Sequence, residues 1–403
     1  MFRRGERQQV SRGNGGRGGR EPPRRDKDYN DHDMRALNVK RLVVKVGTHT
    51  LTRSGGKLDR KRVAGLAEEL ASLRRQGRDV VLVSSGAIAA GLEALGIRGR
   101  PTDLPTLQAA ASIGQGKLME LYSSIFEECG LLAGQVLLTQ FDITHRQQYL
   151  NARNTMSRLL ELGVVPVVNE NDTVAVEEIR FGDNDRLAAL VAGLVDADLL
   201  AILTDTDGLY TADPRLDGDA ELIRRVERIT PEVEELAKGT RSEHATGGMA
   251  TKLQAARIAT LSGVGVVILN GKKKGILARA LEGAEIGTYF PPSKRKLAGR
   301  KRWIAFGLQP SGSVVIDEGA AQALLGEGKS LLPAGVLEVA GDFKAGDMVE
   351  VLDSGGRSIA RGLSSYSSDE LRAIKGMRSR EAARLLGGAC QEAIHRDCLV
   401  VLE

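Results

Sequence analysis

The sequence predicts an α/β fold in which a doubly wound, largely parallel sheet is followed by a small β-rich domain. From Lys40 onward, short runs of β-branched apolar residues alternate with longer segments of helical periodicity, and this alternation is typical of parallel sheets covered by helices. The alternation breaks at Phe290-Pro291-Pro292. Beyond the basic stretch that follows, short apolar runs are separated by turns that contain Gly, a pattern that favours a compact β module.

Six strands are predicted in the first domain, where apolar runs rich in Val, Ile and Leu are bounded by polar or glycine-containing segments. These runs are residues 42–46, 80–83, 134–138, 164–168, 199–203 and 264–269. Helices are expected between them. In residues 59–76, for example, apolar side chains recur at helical spacing, and Gly77 follows as a stop signal. The apolar stripe consists of Val63, Leu66, Ala67, Leu70 and Leu73.

Shorter strands and one helix are predicted in the second domain. The strands are residues 314–316, 336–339, 348–352 and 359–362, and the helix is residues 320–325. With the break after residue 290, these elements divide the chain into four predicted parts. The parts are an arm (1–36), a first domain (38–290), a linker (291–302) and a small domain (303–395).

Most of the formal charge of +5 lies in the N-terminal arm. Residues 1–36 contain nine Arg and one Lys against six acidic residues, which accounts for +4 of that charge. The arm is rich in Arg and Gly and has few apolar side chains to bury, so we predict that it is disordered. It also lacks the apolar segment of a secretory signal. Contact with RNA is one alternative for this arm, and a solvated extension without a binding role is the interpretation that we favour.

The cysteines and the distribution of apolar residues predict a cytoplasmic protein. A chain of 403 residues with 42% hydrophobic content can bury the cores of two domains. The three cysteines, Cys129, Cys390 and Cys398, are odd in number and widely separated, which argues against a disulfide framework. No apolar run reaches the roughly 18 residues that a membrane-spanning helix needs.

Small and polar residues follow five of the predicted strands. Ligands of open α/β sheets bind beyond the carboxyl ends of the strands, so these residues mark a candidate site. They are Lys45-Val46-Gly47-Thr48, Ser84-Ser85-Gly86-Ala87, Asn169-Glu170-Asn171-Asp172, Thr204-Asp205-Thr206-Asp207-Gly208 and Asn270-Gly271. A single turn of this kind would mean little, because Gly, Ser, Asn and Asp are ordinary turn residues. Five of them at one sheet edge indicate a function.

The glycine turns suit a phosphate ligand. Glycines let backbone N–H groups approach phosphate oxygens, and a helix that begins after such a turn directs the positive end of its dipole at an anion. Gly86 precedes one predicted helix, and Gly247-Gly248 precedes another in which Lys252 lies about one turn from the start. Neither Gly-x-x-x-x-Gly-Lys-Ser/Thr nor, after the first strand, Gly-x-Gly-x-x-Gly occurs. A nucleotide site would therefore be of another kind.

Several motifs occur in the order and spacing of a known family. They are Val44-Lys45-Val46-Gly47-Thr48, Ser84-Ser85-Gly86-Ala87-Ile88-Ala89-Ala90-Gly91, Val168-Asn169-Glu170-Asn171-Asp172, Phe181-Gly182-Asp183-Asn184-Asp185, Gly208-Leu209-Tyr210-Thr211-Ala212-Asp213-Pro214 and Thr246-Gly247-Gly248-Met249-Ala250-Thr251-Lys252. On these motifs, the chain resembles the glutamate 5-kinase family from about Lys40 to the C-terminus. The small domain resembles the PUA type of RNA-modifying enzymes, which is appended to many bacterial glutamate 5-kinases.

The resemblance implies an amino-acid-kinase fold over residues 38–290, and it implies an activity. The expected reaction is the ATP-dependent phosphorylation of the side-chain carboxylate of L-glutamate to glutamate 5-phosphate, the first step of proline biosynthesis. By the resemblance, glutamate would be held by Ser85, Asp172 and Asn184. The implied ATP contacts are Lys45, Gly47, Thr204, Asp205, Thr246, Gly247, Gly248, Met249, Ala250, Thr251 and Lys252. Nothing is implied for the arm, which the family pattern lacks.

The expected chemistry gives a reason for two of the lysines. A glutamate side-chain carboxylate, with a pKa near ~4.3, is ionised at neutral pH and can attack phosphorus without a general base. Its approach to the anionic γ-phosphate requires positive charge that stabilises the transition state. We expect Lys45 and Lys252 to flank the transferring phosphoryl group, Asp185 to orient both lysines, and Mg²⁺ to be carried by the ATP phosphates.

Other hypotheses stay open at this point. Kinases of the same superfamily for acetylglutamate, aspartate, carbamate or UMP share the lysine and glycine machinery, although the loops 169–172 and 182–185 and the appended domain favour glutamate. RNA binding through the small domain is a hypothesis of a different class, which salt-dependent RNA affinity would test. The resemblance further implies a homo-oligomer, feedback inhibition by proline and a partnership with glutamyl-phosphate reductase, which would receive a reactive acyl phosphate.

Overall fold

The computed structural model describes residues 38–53, 57–139, 142–143, 146–174, 184–238, 248–293, 310–386 and 391–402. The predicted arm, most of the predicted linker and parts of two motifs (181–183 and 246–247) lie outside these ranges. Within them, the chain forms two sheets, one in each predicted domain.

Seven strands form the first sheet. In chain order they are β1 (Arg41–Val46), β2 (Asp79–Ser84), β3 (Ala133–Leu138), β4 (Val165–Glu170), β5 (Leu199–Thr204), β6 (Gly265–Asn270) and β7 (Thr288–Phe290). The first six correspond to the predicted strands, with small differences at their ends. No prediction matches β7, because a strand of three residues is too short to show a periodic pattern.

Helices accompany this sheet. They are α1 (Thr48–Leu51), α2 (Arg60–Arg75), α3 (Ala87–Leu95), α4 (Leu104–Glu128), α5 (Arg146–Glu161), α6 (Asn184–Leu194), α7 (Pro231–Lys238), α8 (Met249–Leu261) and α9 (Ile276–Leu281). In α2, Val63, Ala67 and Leu70 are buried as the apolar stripe predicts. The carboxylate of Asp59 accepts from the backbone N–H of Lys61 and so caps the start of this helix. Of the helices in the described ranges, none has the length and apolarity to cross a membrane.

The strand order of this sheet is β3-β4-β2-β1-β5-β6-β7. Neighbouring strands are parallel, except that β6 and β7 are antiparallel. The predicted doubly wound, largely parallel sheet is confirmed. The chain builds the sheet on one side of β1 and then continues on the other side with β5, so the order reverses at β1. Ligands of such sheets bind at the carboxyl ends of the strands beside this reversal.

Alternate side chains of β1 face opposite layers of the domain, as the pleat of a strand requires. Leu42, Val44 and Val46 belong to the core that includes side chains of α2 and α4. Val43 belongs to the other core, with side chains of α6 and α8. Lys45 is two residues after Val43 and shares its face. The pleat of β1 therefore directs a lysine toward the layer that contains α6 and α8.

The small domain contains five strands and three α-helices in the described ranges. The strands are β8 (Gly312–Ile316), β9 (Val336–Gly341), β10 (Met348–Leu352), β11 (Ser358–Leu363) and β12 (Leu399–Val401), and the helices are α10 (Glu318–Glu327), α11 (Ser368–Ile374) and α12 (Ser379–Leu386). The sheet order is β12-β11-β10-β8-β9, with one parallel pair, β8 with β10. The predicted β-rich module is confirmed, and its sheet continues to Val401, beyond the predicted boundary at residue 395.

The last strand of the small domain contacts the first domain. Val400 is buried and packs against Leu190 of α6 and Ile258 of α8. The guanidinium group of Arg257, also in α8, donates to the carbonyl oxygen of Leu402 at 3.2 Å. The small domain therefore supports the two helices that face Lys45.

A buried hydroxyl connects β7 to the loops that precede it. Thr288 Oγ1 donates to the carbonyl oxygen of Ile223 at 2.6 Å and accepts from the backbone N–H of Leu209 at 2.8 Å. We expect Thr288→Val to lower the free energy of unfolding by about 1–3 kcal/mol for each backbone group that loses its partner. Urea unfolding of Thr288→Val beside Thr288→Ser, which keeps the hydroxyl, checks this. Equal stability of the two variants would contradict it.

Candidate active site

The carboxyl ends of β1, β2, β4, β5 and β6 lie at one edge of the first sheet, because these strands are parallel. Two helices begin at the same edge. Asn184, the first residue of α6, donates through Nδ2 to the carbonyl oxygen of Ser84 at the end of β2. Lys252, in the first turn of α8, donates to Asp185. The predicted strand-end motifs and two helix N-termini therefore meet in one place.

Asp185 joins two lysines at the centre of this edge. Its Oδ1 lies 2.5 Å from Nζ of Lys45, and its Oδ2 lies 3.1 Å from Nζ of Lys252. The hydroxyl of Thr251 donates to the same Oδ2 at 2.9 Å. Strand β1 provides Lys45, α6 provides Asp185, and α8 provides Thr251 and Lys252. We call Lys45, Asp185 and Lys252 the ion cluster.

The ion cluster has a net charge of +1 and little contact with water. The side chains of Lys45, Asp185 and Lys252 expose 7%, 1% and 8% of their surface. Burial by itself raises the pKa of Asp185, but the ammonium groups of Lys45 and Lys252 and the hydrogen bonds from Lys45 and Thr251 hold that pKa below its ordinary range. Buried charges are costly unless they are paired. With two ammonium groups against one carboxylate, these three side chains form a positive centre that suits an anionic ligand such as a phosphate.

The start of α8 adds backbone groups to this positive region. Gly248 is the N-cap, without a side-chain cap bond, and Met249 and Ala250 begin the helix. The first N–H groups of a helix lack partners within it and carry the positive end of its dipole. The carbonyl oxygen of Gly248 lies 2.9 Å from Oγ1 of Thr251, which ties the cap to the first turn. This end of the helix suits a phosphate group.

The ends of β5 and β6 form the neighbouring part of the edge. Thr204 is buried, and its hydroxyl donates to Oδ1 of the exposed Asp205 at 3.3 Å. The backbone N–H of Gly271 donates to the carbonyl oxygen of Thr204 at 2.8 Å. Asp207 Oδ1 accepts from Nδ2 of Asn270 at 2.9 Å. These bonds hold the loops after the two strands together beside α8.

Side-chain amides and a serine occupy the opposite part of the edge, at the ends of β2 and β4. Nδ2 of Asn184 lies 2.9 Å from Oγ of Ser85 and 2.9 Å from Oδ1 of Asn169. Nδ2 of Asn169 in turn donates to Oε1 of Gln115, in α4, at 2.8 Å. This part of the edge therefore presents hydroxyl and amide groups rather than lysines.

Asp172 lies in the turn after β4. Burial raises its pKa to about 6, and the positive charge of Arg100 opposes this shift. The carboxyl group is thus mostly ionised at neutral pH although it is poorly solvated. A desolvated carboxylate favours a cationic partner, so this turn suits a positively charged ligand group.

Comparison with known proteins identifies the family. A family model described as the amino acid kinase family matches residues 40–270, and one described as the PUA domain matches residues 312–386. The chain belongs to the amino acid kinase family. The match of a PUA model to the second sheet agrees with the β-rich module predicted there.

Curated relatives within the amino acid kinase family extend over most of the chain. A glutamate 5-kinase from Moorella thermoacetica is 52% identical over 365 residues, which cover 90% of this chain and 97% of that protein. Glutamate 5-kinases from Caldanaerobacter subterraneus subsp. tengcongensis and from Pelobacter propionicus are each 50% identical, over 90% of this chain and 98% of those proteins. The resemblance indicated by the motifs is confirmed.

For this member of the amino acid kinase family, the structure places the predicted site residues in three neighbouring groups. Lys45, Asp185 and Lys252 share one ion cluster. Ser85 and Asn184 are hydrogen-bonded to each other. The remaining residues assigned to ATP and glutamate follow the strand ends or begin α8, except that residues 246–247 lie outside the described ranges. The binding and catalytic roles of all these residues stay predictions.

Gln115 and the contact between Asn169 and Asn184 were missed by the sequence analysis. Gln115 lies within the long helix α4, where a polar residue is common and no local pattern marks it. Asn169 does give a signal, because it is an amide at the end of an otherwise apolar, buried strand. Buried amides require hydrogen-bond partners, and this rule would have predicted a contact without naming the partner.

Proposed function

We propose that this kinase transfers the γ-phosphoryl group of ATP to the side-chain carboxylate of L-glutamate and forms glutamate 5-phosphate, in the first step of proline biosynthesis. The observation that carries the proposal is the ion cluster, in which two buried ammonium groups share one carboxylate. Lys45 lies on β1, which is between β2 and β5 in the sheet. β2 ends at the Ser84-Ser85 turn that Asn184 contacts, and β5 ends at Thr204, the first of the residues there that are assigned to ATP. The relatives named glutamate 5-kinases support this choice of substrate.

The substrate itself supplies the nucleophile. The glutamate side chain has a pKa near ~4.3 and is ionised at neutral pH, so its oxygen can attack phosphorus without a general base. The obstacle is repulsion between this carboxylate and the γ-phosphate. Lys45 and Lys252 reduce the repulsion and stabilise the charge of the transition state. Asp185 orients both ammonium groups, since it binds one with each oxygen.

Each part of the edge has a proposed ligand. Glutamate lies beside Ser85, Asp172 and Asn184. The hydroxyl of Ser85 donates to a carboxylate of glutamate, and oxygens of Asp172 and Asn184 accept from its ammonium group. ATP lies over the ends of β1 and β5 and the start of α8. The proposed ATP contacts are Lys45, Gly47, Thr204, Asp205, Thr246, Gly247, Gly248, Met249, Ala250, Thr251 and Lys252.

Mg²⁺ fits this site as an ion held chiefly by phosphate oxygens and water, which is its usual mode in phosphoryl-transfer enzymes. The part of the chain that the structure describes contains no cluster of three or more His, Cys, Asp or Glu side chains placed to hold a metal ion. Asp205 is exposed beside the proposed phosphate position and offers a carboxylate to such an ion. Bound Mg²⁺ would neutralise part of the phosphate charge.

Trapping with hydroxylamine tests the substrate assignment. An acyl phosphate reacts with hydroxylamine to form a hydroxamate, which is measured with ATP, Mg²⁺ and either L-glutamate or N-acetylglutamate. We expect hydroxamate from glutamate, none when ATP is omitted, and little from N-acetylglutamate, because acetylation removes the ammonium group that Asp172 and Asn184 would bind. Hydroxamate from N-acetylglutamate alone would contradict the proposal.

Asp172 predicts a pH dependence of glutamate binding. Its pKa is raised to about 6 by burial, so its carboxylate loses its charge as the pH falls through about 6 and attracts the ammonium group less. We expect the KM for glutamate to rise below this pH while the KM for ATP changes little. Initial rates measured between neutral and mildly acidic pH check this. A KM for glutamate that stays constant over that range would contradict the role of Asp172.

Replacement of Asp172 by Asn is expected to change stability and glutamate binding in opposite directions. A raised pKa means that the folded state binds the proton more tightly than the unfolded state does, so this carboxyl group stabilises the fold below its unfolded pKa and loses that contribution as pH rises through about 6. At neutral pH, Asp172→Asn is therefore expected to unfold at higher urea than the parent while binding glutamate more weakly. Lower stability together with unchanged glutamate binding would contradict the proposal.

The chemistry of the product supports further proposals about partners. An acyl phosphate reacts readily with water, so a reductase that consumes it, glutamyl-phosphate reductase, is the proposed partner in the cytoplasm. We also propose that the enzyme is a homo-oligomer and that proline, as the end product, inhibits it. Light scattering of the purified chain tests whether it is a homo-oligomer. Activity that is unchanged at millimolar proline would contradict the proposed inhibition.

A further inference from the structure

Four hydrogen-bonded side chains, Gln115, Asn169, Asn184 and Ser85, connect α4 to the turn after β2. We call them the amide chain. The polarity of this chain, meaning the direction of its hydrogen bonds from donor to acceptor, is set at Ser84. A backbone carbonyl oxygen only accepts hydrogen bonds. Nδ2 of Asn184 lies 3.2 Å from this oxygen. Asn184 must therefore direct its NH₂ group, and not its oxygen, toward Ser84 and the other members of the chain.

Each bond then fixes the next one. Since Asn184 donates, Asn169 must present its Oδ1 to it, at 2.9 Å. The nitrogen of Asn169 consequently faces Gln115, whose Oε1 accepts at 2.8 Å. Reversing the amide of Gln115 would oppose two NH₂ groups. Asn169 and Asn184 expose only 3% and 6% of their surface, so water is a poor substitute for a lost partner.

The polarity of the amide chain determines which groups of Ser85 and Asn184 are available to a ligand. Oγ of Ser85 accepts from Asn184, so its own proton can be donated to another acceptor, such as a carboxylate. The NH₂ group of Asn184 is engaged by the protein. Its carbonyl oxygen is therefore the group that it can offer to a donor such as an ammonium ion.

Two glycines place Gln115 beside this end of the sheet. A Cβ atom on Gly114 would lie 1.8 Å from the carbonyl oxygen of Ala87, and one on Gly91 would lie 1.8 Å from that of Ala110. Helices α3 and α4 thus pack backbone against backbone, which only glycine allows at these positions. Because α3 begins directly after Ser85-Gly86, this contact holds the neighbouring Gln115 close to the serine turn.

We propose that Gln115 is a positioning residue for the amino-acid substrate. By accepting from Asn169 it fixes the polarity of the amide chain, so that Ser85 presents a donor and Asn184 presents an acceptor. The inference rests on the proposed function, because it assigns this donor and this acceptor to a carboxylate and the ammonium group of glutamate. Gln115 acts through Asn169 and does not require contact with the substrate.

Kinetics of three variants of the full chain test the inference, with hydroxamate formation as the assay. Gln115→Met removes the acceptor with little change in volume, and Gln115→Glu keeps an acceptor oxygen. Gln322→Met, at an exposed position of α10, is the matched control. We expect Gln115→Met to raise the KM for glutamate about tenfold, the effect of one unsatisfied buried N–H group, with the KM for ATP within about twofold of the parent. Gln115→Glu and Gln322→Met should stay close to the parent.

An unchanged KM for glutamate in Gln115→Met would overturn the inference. An equal increase in Gln115→Glu and Gln115→Met would also overturn it, because the acceptor would then be irrelevant. If Gln115→Met does not yield folded protein, Gln115→Ala removes the same acceptor and takes its place. A parent protein that forms no hydroxamate from glutamate contradicts the proposed function, whereas an active parent with a parent-like Gln115→Met contradicts this inference alone.

Discussion

Replacement of Lys252 by Met is expected to lower kcat by on the order of 10² or more, the effect of removing one group that stabilises transition-state charge. Met preserves much of the apolar stem of the buried side chain but removes the ammonium group that lies 3.1 Å from Asp185. The same loss is expected for Lys45→Met, whose ammonium group contacts the other oxygen of that carboxylate. Because the lysines are proposed to act on the transferring phosphoryl group, the KM for glutamate should change much less than kcat.

Steady-state kinetics with glutamate and ATP check this expectation. Lys272→Met is the control, because Lys272 is an exposed lysine in the loop after β6 and should retain parent turnover. A Lys252→Met enzyme with kcat within about threefold of the parent, less than 1 kcal/mol in activation free energy, would contradict the proposed role.

Asp185→Asn is expected to impair both turnover and folding. The change removes the carboxylate that both buried lysines contact, and breaking a buried ion pair in this way costs about 3–5 kcal/mol. Turnover should fall as well, since the ammonium groups lose the carboxylate that orients them. Asp196→Asn is a matched control, because Asp196 pairs with Arg153 at the surface, where an ion pair contributes about 0–1 kcal/mol.

The pH dependence of stability gives an additional test of Asp185. Its pKa is lowered in the folded state, so its contribution is fully present above the unfolded pKa of about 3.9 and is lost as the pH falls below that value. Urea unfolding should therefore show a constant difference between parent and Asp185→Asn near neutral pH and a smaller difference in acid. A difference that grows on acidification would contradict this assignment.

The sequence predicts the first sheet well, because its strands are strongly apolar and its helices have a clear period. The sequence does not predict β7 and β12, because each contains only three residues, too few for a pattern. Pairing with β6 and β11 defines them instead. Such contacts join distant segments and are not encoded in local sequence.

The residues of the site also differ in how well the sequence predicts them. Lys45 is predictable because a lysine inside an apolar strand requires an anionic partner, and the motif order points to Lys252 and Asp185. Gln115 is not predictable, because its position depends on the contact between Gly91 and Gly114 in two different helices. Its role also depends on a backbone carbonyl, that of Ser84, which carries no sequence signal at all.

A crystal structure with a non-hydrolysable ATP analogue, Mg²⁺ and L-glutamate would test the central claim most directly. We predict that Nζ of Lys45 and Nζ of Lys252 lie within hydrogen-bond distance, about 2.7–3.2 Å, of oxygens of the terminal phosphate. The side-chain carboxylate of glutamate should face the same phosphorus atom from the side of Ser85 and Asn184. Ammonium groups directed away from the triphosphate, or glutamate bound elsewhere, would contradict the account.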